Sequence, residues 1–263
     1  MGVFHFTATT MPALFSAFST GQLLAPKYLL WMWHGFLTTL QLSAVTVLLS
    51  TLLGLLLASA YGADYRPLRA AAVWFTSLFR NTPLLVQLLF WYFGVPALFA
   101  DGWMEWLNAS HRLDLGVFTL SWPSFEFVAA MFGLVLYSTA YVSEEIRAGI
   151  RGVPATQTLA GAAIGLTPVQ VQRYIVLPQA VRIALPPLLG QYMNILKNTS
   201  LTMGIGLAEL SYTSRQVEAE TFLTFQAFGV ATLLYVVAIA VIESIGHWYQ
   251  QTRALQHASG RRK

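Results

Sequence analysis

Apolar residues in this chain run in long blocks, and polar residues gather between the blocks instead of alternating with them. Five blocks predict membrane-spanning helices: within 28–62, within 70–99, from 124 to 143, within 183–207 and from 225 to 248. A straight span across hydrocarbon needs ~20 residues, so the first two blocks exceed one straight helix each. In the first, "KYLLWMWHG" reads as an interfacial aromatic belt ahead of the span proper. In the second, "FRNTPLLVQ" predicts a kink or restart, with Thr82 as the cap and Pro83 in the first helical position. The fourth block is interrupted by "LKNTS", and a four-span arrangement follows if it does not cross. The expected fold class is an all-α polytopic membrane protein of about five transmembrane helices, one transmembrane domain over 1–263.

Composition supports the bilayer and narrows the chemistry. The 263 residues are 56% hydrophobic and 10% charged, where soluble domains carry about a quarter charged residues. There is no cysteine, which excludes disulfide, thiolate and iron–sulfur chemistry. The N-terminus "MGVFHFTATTMPALF" lacks the basic stretch of a signal peptide and reads as mature sequence. His5, His34, His111, His247 and His257 show no metal-ligand spacing, so no metal site is expected. No Gly-x-x-x-x-Gly-Lys-Ser/Thr loop and no Ser/His/Asp arrangement is present. The chain is therefore expected to be no enzyme, to bind no cofactor, and to borrow any driving energy from elsewhere.

The net charge of +4 reports orientation, because the basic residues lie in the loops. With five spans and the N-terminus outside, Arg66, Arg69, Arg147, Arg151, Arg173, Arg182, Arg253, Arg261, Arg262 and Lys263 face the cytoplasm. Outside remain Lys27, Arg112 and Arg215, among the acids Asp101, Glu105, Asp114, Glu126, Glu209, Glu218 and Glu220. That asymmetry follows the positive-inside rule. It makes 1–27 an extracytoplasmic segment, 144–182 a cytoplasmic loop and 249–263 a cytoplasmic tail.

The cytoplasmic loop reads as two short helices. Pro154 suits the first turn of one over 155–164, which Gly165 ends by taking the left-handed conformation. Thr167 caps the next, Pro168 fills its first turn, and Gln170 completes a capping box. This second helix is expected to stop near Leu177-Pro178. The small residues of the first helix permit close approach by a partner, whereas a solvent-washed connector is the plainer alternative.

At these residues the chain resembles a known family. "AGAAIGLTPVQVQRYIVLPQAVRIALPPLLGQYMNILKNTSL" is similar to the cytoplasmic loop and following span of ATP-binding-cassette (ABC) importer permeases, in particular those for polar amino acids. Gly165 and Leu177-Pro178 match, and "FRNTPLLVQ", "EEIRAGI" and "GIGLAEL" resemble further stretches of the same family. The resemblance implies a type I ABC importer permease-like fold in a bacterial inner membrane, with Leu159, Ala160, Gly161, Ala162, Ala163, Gly165 and Leu166 forming a coupling helix that docks an ATPase. It further implies ATPase subunits that use ATP and Mg, a second permease subunit (identical or paralogous), and an extracytoplasmic solute-binding protein. Leu159 stands where the family's usual loop glutamate falls. The glutamate/aspartate branch tolerates that change, which points to those solutes among polar amino acids. A passive channel or a self-contained secondary carrier is the competing class, though a carrier's internal repeat of the span pattern is not visible.

Charges inside spans are costly, roughly 2.5–3.5 kcal/mol at mid-bilayer, so each needs a partner or water. Lys197, with Asn198 and Thr199 in the interrupted fourth block, is a candidate for the translocation path, holding an anionic solute or a gate. The alternative is that Lys197 snorkels to an interface or pairs with Glu209 or Glu243. Thr38, Thr39, Gln41 and Gln87 could line the path or glue helices together. Arg80 is expected to anchor at the cytoplasmic headgroups, and Glu144, Glu145 and Arg147 to cap the third span or pair with the loop helices. If Lys197 serves the path, Lys197→Met lowers uptake in vesicles while leaving assembly, read by size-exclusion elution, unchanged.

Overall fold

A computed structural model describes residues 24–98, 112–114, 119–121 and 123–260. Most of the expected 1–27 segment, together with Asp101, Glu105, Arg261, Arg262 and Lys263, lies outside the described residues. Helix α1 spans Pro26–Tyr61, α2 Arg66–Arg80 and α3 Leu84–Leu89, the last running on into a π-turn at Phe90–Gly94 and a 3-10 turn at Pro96–Leu98. A short antiparallel hairpin, β1 Arg112–Asp114 with β2 Thr119–Ser121, adds the only strands among the described residues. Then come α4 Phe125–Arg151, α5 Ala155–Ala163, α6 Pro168–Val171 and a π-turn at Gln172–Val176. Helix α7 Leu177–Asn198 is followed by a 3-10 turn at Thr199–Ile205, α8 Leu210–Thr221 and α9 Thr224–Gly260. By length and composition α1, α4 and the Thr224–Gln250 part of α9 suffice to cross a membrane, and the second and fourth expected spans are composite.

Two expectations about the spans are corrected. The belt "KYLLWMWHG" is not separate from the first span but forms its first turns, in one helix of 36 residues. At 1.5 Å per residue it measures ~54 Å, longer than the ~30 Å of hydrocarbon, so the belt belongs to the headgroup region at its outer end. The third span does not stop at Ser143: α4 runs two more turns to Arg151, carrying Glu144, Glu145 and Arg147 inside the helix.

The centre is α4, which packs against α1 on one side and α7 on the other. Small and hydroxyl residues make the contacts of α1, with Gly54 against α4 and Gly35 and Thr39 against Glu209, Leu210 and Thr213 further along the chain. Gly35, Thr39, Leu42, Ser43, Thr46, Ser50, Gly54 and Ala58 recur at helical spacing and are buried, while Leu48, Leu52, Leu55 and Leu56 face outward. This inverts the pattern of a soluble helix, because lipid solvates leucine as well as a protein interior does, and close backbone approach drives association instead. A methyl group at Gly54 would lie 2.7 Å from Val142 Cγ1, and one at Gly149 2.6 Å from Ala180 O. Three apolar clusters follow from this arrangement. One joins Met32, Phe36, Leu196, Leu210 and Ala231 near the outside, and a second joins Leu42, Leu88, Leu134 and Ile205. The third joins Val153, Val171, Val176 and Ala180 at the cytoplasmic end.

The break in the second span lies where "FRNTPLLVQ" predicts it, by a different device. Pro83 is the residue before α3, not its first, and Thr82 caps nothing: its hydroxyl donates back to Leu78 O at 2.9 Å. The donor is Gln87. Its Nε2 lies 3.0 Å from Phe79 O, the carbonyl whose helical donor is missing at Pro83, 3.1 Å from Thr82 O and 2.6 Å from Thr82 Oγ1. Replacing Gln87 with Leu keeps the volume but orphans buried acceptors, at a cost of about 1–3 kcal/mol. The expected outcome is a lower thermal unfolding midpoint of the detergent-solubilised Gln87→Leu protein than of the wild type.

Candidate functional site

The cytoplasmic loop begins where Gly152 ends α4 and Val153 turns into the small third cluster. Pro154 is the residue before α5, one position earlier than expected, and α5 ends at Ala163 with Gly165 at φ +86. That left-handed residue has open space around it, so the glycine is there for its backbone and not for packing. The predicted capping box forms: Gln170 N donates to Thr167 Oγ1 at 3.3 Å, and Thr167 N donates to Gln170 Oε1 at 2.8 Å.

The second loop helix does not stop at Leu177-Pro178. It passes through them, because the chain widens to a π-turn over Gln172–Val176, with the Leu177 amide bonded to Gln172 O. A wide turn moves the carbonyl that the proline ring would strike, and Gln179 Nε2 donates to Ile175 O at 2.8 Å. Helical conformation therefore continues from Pro168 to Ile205.

Of the seven expected docking residues, Leu159, Ala160, Ala162, Ala163 and Gly165 are exposed and Leu166 is half-buried. Gly161 is corrected: it faces inward. A methyl group there would lie 2.6 Å from Ile175 Cδ1 and 3.0 Å from Val171 Cγ2, so its smallness seats α5 on the π-turn. Ile164 and Val169 join the exposed set, each 76% exposed beside Leu159 at 68%. Sequence reasoning missed them because it followed the small residues. The signal was present in large apolar side chains placed at a helix end and a cap, where a solvated loop has no use for them.

Within the membrane, Lys197 sits exposed in the last turn of α7, Asn198 is half-buried, and Thr199 is buried with its hydroxyl on Leu196 O at 2.7 Å. Lys197 pairs with neither expected carboxylate. Glu243 lies 3.7 Å from His247, and Glu209 is enclosed elsewhere. Gln87 is occupied by the break described above. Thr38 and Gln41 line a cavity of about 420 Å³ with Ser124, Glu126 and Gly206, at the outer end of α4, while Tyr92 OH donates to Glu126 at 3.5 Å. Arg80 does not reach the level of the cytoplasmic turn of α4. Its guanidinium lies 5.4 Å from the Tyr141 ring, six residues before Arg147, roughly 9 Å along the helix. Glu144 pairs with Arg147 and, at 3.7 Å, with Arg151, all on α4, and Glu145 accepts from Gln191 Nε2 at 3.2 Å. None of these reaches the loop helices.

Glu209 is the feature that sequence reasoning passed over, having placed it among the outer acids. It is fully buried and precedes α8, where its two oxygens accept from Ser211 N at 2.9 Å and Tyr212 N at 2.8 Å. Tyr235 OH on α9 donates at 2.9 Å and Thr39 Oγ1 on α1 lies 3.4 Å away. A carboxyl group at a helix N-terminus with four donors has both its oxygens engaged, and it ties three helices at one point. Glutamate is outside the usual cap set of Ser, Thr, Asp and Asn, and its partners are distant in sequence, so local rules do not find it. Glu209→Ala is expected to destabilise the fold by about 1.5–3 kcal/mol and Tyr235→Phe by about 1 kcal/mol, with less than additive loss in the double variant, read by thermal unfolding in detergent.

Residues 50–253 match the family described as binding-protein-dependent transport system inner membrane component. The chain is 32% identical over 216 residues to the glutamate/aspartate import permease protein GltJ of Escherichia coli, covering 82% of this chain and 84% of that one. It is 32% identical over 219 residues to the probable glutamine ABC transporter permease protein GlnM of Bacillus subtilis, covering 83% and 91%. Over 235 residues it is 32% identical to the histidine/lysine/arginine/ornithine transport system permease protein HisM of Escherichia coli, covering 88% and 93%. Its fold is similar to that in a crystal structure of an amino acid ABC transporter with histidines, at TM-score 0.73 and 27% identity over 86% of this chain and 95% of that one. It also resembles the fold in inward-facing conformations of the MetNI methionine ABC transporter, at TM-score 0.68 and 14% identity over 87% and 99%.

Proposed function

The chain belongs to the family of binding-protein-dependent transport system inner membrane components and is a membrane-spanning subunit of an ATP-driven amino-acid importer; we propose that it forms one half of the path for a polar, acidic solute and is driven through the α5–α6 loop. It is a multi-pass inner membrane protein that works with ATPase and binding-protein partners, and ATP hydrolysis belongs to a separate subunit. The exposed apolar surface of Leu159, Ile164 and Val169 carries the reading. Such side chains at the cytoplasmic end of a membrane protein lie where a soluble partner, not lipid, would cover them.

In this reading the ATPase seats against α5 and the α6 cap, with Ala160, Ala162 and Ala163 allowing close approach. Gly161 holds α5 to the π-turn, so the loop moves as a body and carries α7 with it. Two such subunits, identical or paralogous, enclose the path, because helices of one chain form only a wall. Lys197 and Asn198 border that path at the end of α7, Thr199 backs them from the buried start of the 3-10 turn, and the exposed Lys197 ammonium favours an anionic solute. Thr38, Gln41 and Glu126 line its outer mouth. Glutamate and aspartate fit the lysine, and they are the solutes named for one of the similar permeases.

Placing a charge at Ala162, exposed on α5, tests the docking. Ala162→Glu is expected to release the ATPase and abolish uptake in reconstituted vesicles while leaving the thermal unfolding midpoint unchanged. Full uptake by this variant overturns the docking and favours a passive channel. Measuring which amino acids stimulate ATP hydrolysis by the reconstituted complex identifies the solute; stimulation by neutral or basic amino acids alone overturns the acidic assignment.

A further inference from the structure

A cavity of about 750 Å³ opens between α1, α4 and α7 at their cytoplasmic ends, away from the docking loop's exposed face and from Lys197. Its walls are apolar: Leu55 and Ala58 of α1, Ile146 and Ile150 of α4, Val181 and Ala184 of α7. Its mouth is basic. Arg147 and Arg151 line it with the polar side chain of Gln172, and the two guanidiniums share one carboxylate, Glu144. One positive charge is therefore left over at the rim. Arg147 is held in place by the Tyr61 ring, 3.5 Å from its guanidinium, whereas the Arg151 side chain is 62% exposed and able to reach a ligand.

Depth identifies the occupant. Along α1 the lining runs from Tyr61 at the mouth to Thr51 at the floor, ~15 Å at 1.5 Å per residue. That is half of a ~30 Å hydrocarbon core, the reach of one leaflet. A greasy slot one leaflet deep, with surplus arginine at the cytoplasmic headgroup level, has the chemistry of a diacyl lipid bearing a net negative phosphate. A free amino acid would leave most of the slot unfilled and its own polar groups against Leu55, Ile146 and Val181. A zwitterionic lipid would satisfy the slot but not the rim. The arginine fork is suited to phosphate oxygens, and the anionic cytoplasmic leaflet supplies such lipids at the right face.

We propose that this cavity is a binding site for an anionic phospholipid of the inner leaflet, with its phosphate on Arg151 and Arg147 and one acyl chain between α1 and α7. The lipid would wedge the cytoplasmic end of α7 against α1 at the point where the π-turn ends, and so fill space that helix contacts leave open.

The test is native mass spectrometry of the full chain, in complex with its partner subunits, released from nanodiscs containing phosphatidylethanolamine and phosphatidylglycerol in equal amounts. The wild-type complex is expected to retain phosphatidylglycerol in preference to phosphatidylethanolamine. Each basic residue near an anionic leaflet is worth about fivefold, so Arg151→Gln should lower that preference by about that factor. Val181→Trp, at an exposed wall position, should reduce retained lipid of both kinds by filling the slot. Arg66→Gln, a cytoplasmic arginine outside the cavity, should change neither. Equal retention of the two lipids by the wild type, or equal effects of Arg151→Gln and Arg66→Gln, overturns the proposal. So does displacement of the lipid by glutamate or aspartate, which makes the slot part of the solute path. Disulfide formation between cysteines placed at 181 in two copies of the chain, which makes the slot a subunit contact, also overturns it.

Discussion

A backbone carbonyl released at membrane depth has no water to turn to, and the breaks in this chain's helices are built around that shortage. At Pro83 the donor is a side-chain amide, Gln87, reaching back across the gap. At Pro178 it is the helix itself, which widens to a π-turn and keeps bonding, with Gln179 adding a donor to Ile175 O. At the start of α8 the orphan groups are amides, and the buried Glu209 carboxylate accepts from two of them. At each of these breaks a side chain or a widened turn meets the freed backbone groups, while the Gln87 Oε1 atom itself stays buried without a partner. That is how one short polypeptide can carry irregular backbone beside a path and still fold as packed helices.

What was legible in the sequence follows from how local each cause is. Hydropathy blocks located the spans and the arginine distribution set their direction, because lipid and leaflet charge act on composition. The capping box at Thr167–Gln170 and the left-handed Gly165 were legible because both are decided within four residues. Leu177-Pro178 misled, since a proline after an apolar residue ordinarily ends a helix. Whether the preceding turn widens instead depends on packing of Val171, Val176 and Ala180 against Val153, which no local pattern states. Glu209 misled for a related reason: as an acid beyond a span it reads as surface, and its partners Thr39 and Tyr235 come from opposite ends of the chain. Gly161 was legible as small but not as to which neighbour needed it small.

The site residues divide along the same line. Exposure at Leu159, Ile164 and Val169 is a property of the finished loop, and the sequence signals it only as unexplained hydrophobicity. Gln87 and Thr39 looked equally suited to a polar path or to helix contacts, and geometry assigns both to contacts. Lys197 remains exposed because the carboxylate nearest to it in sequence is saturated by its own helix and by a tyrosine.

The run of helical conformation from Pro168 to Ile205 has a mechanical consequence. A rod of that length measures on the order of 55 Å, and a tilt of about 10° at its base sweeps its far end by about 10 Å. Torque applied at the Thr167 cap is therefore geared up before it arrives at Lys197 and Thr199. The same rod is interrupted at Pro186 and Pro187 inside α7, where two successive amide donors are missing. Give therefore lies within the lever, and stiffness at the proline pair sets how much of each stroke reaches its far end.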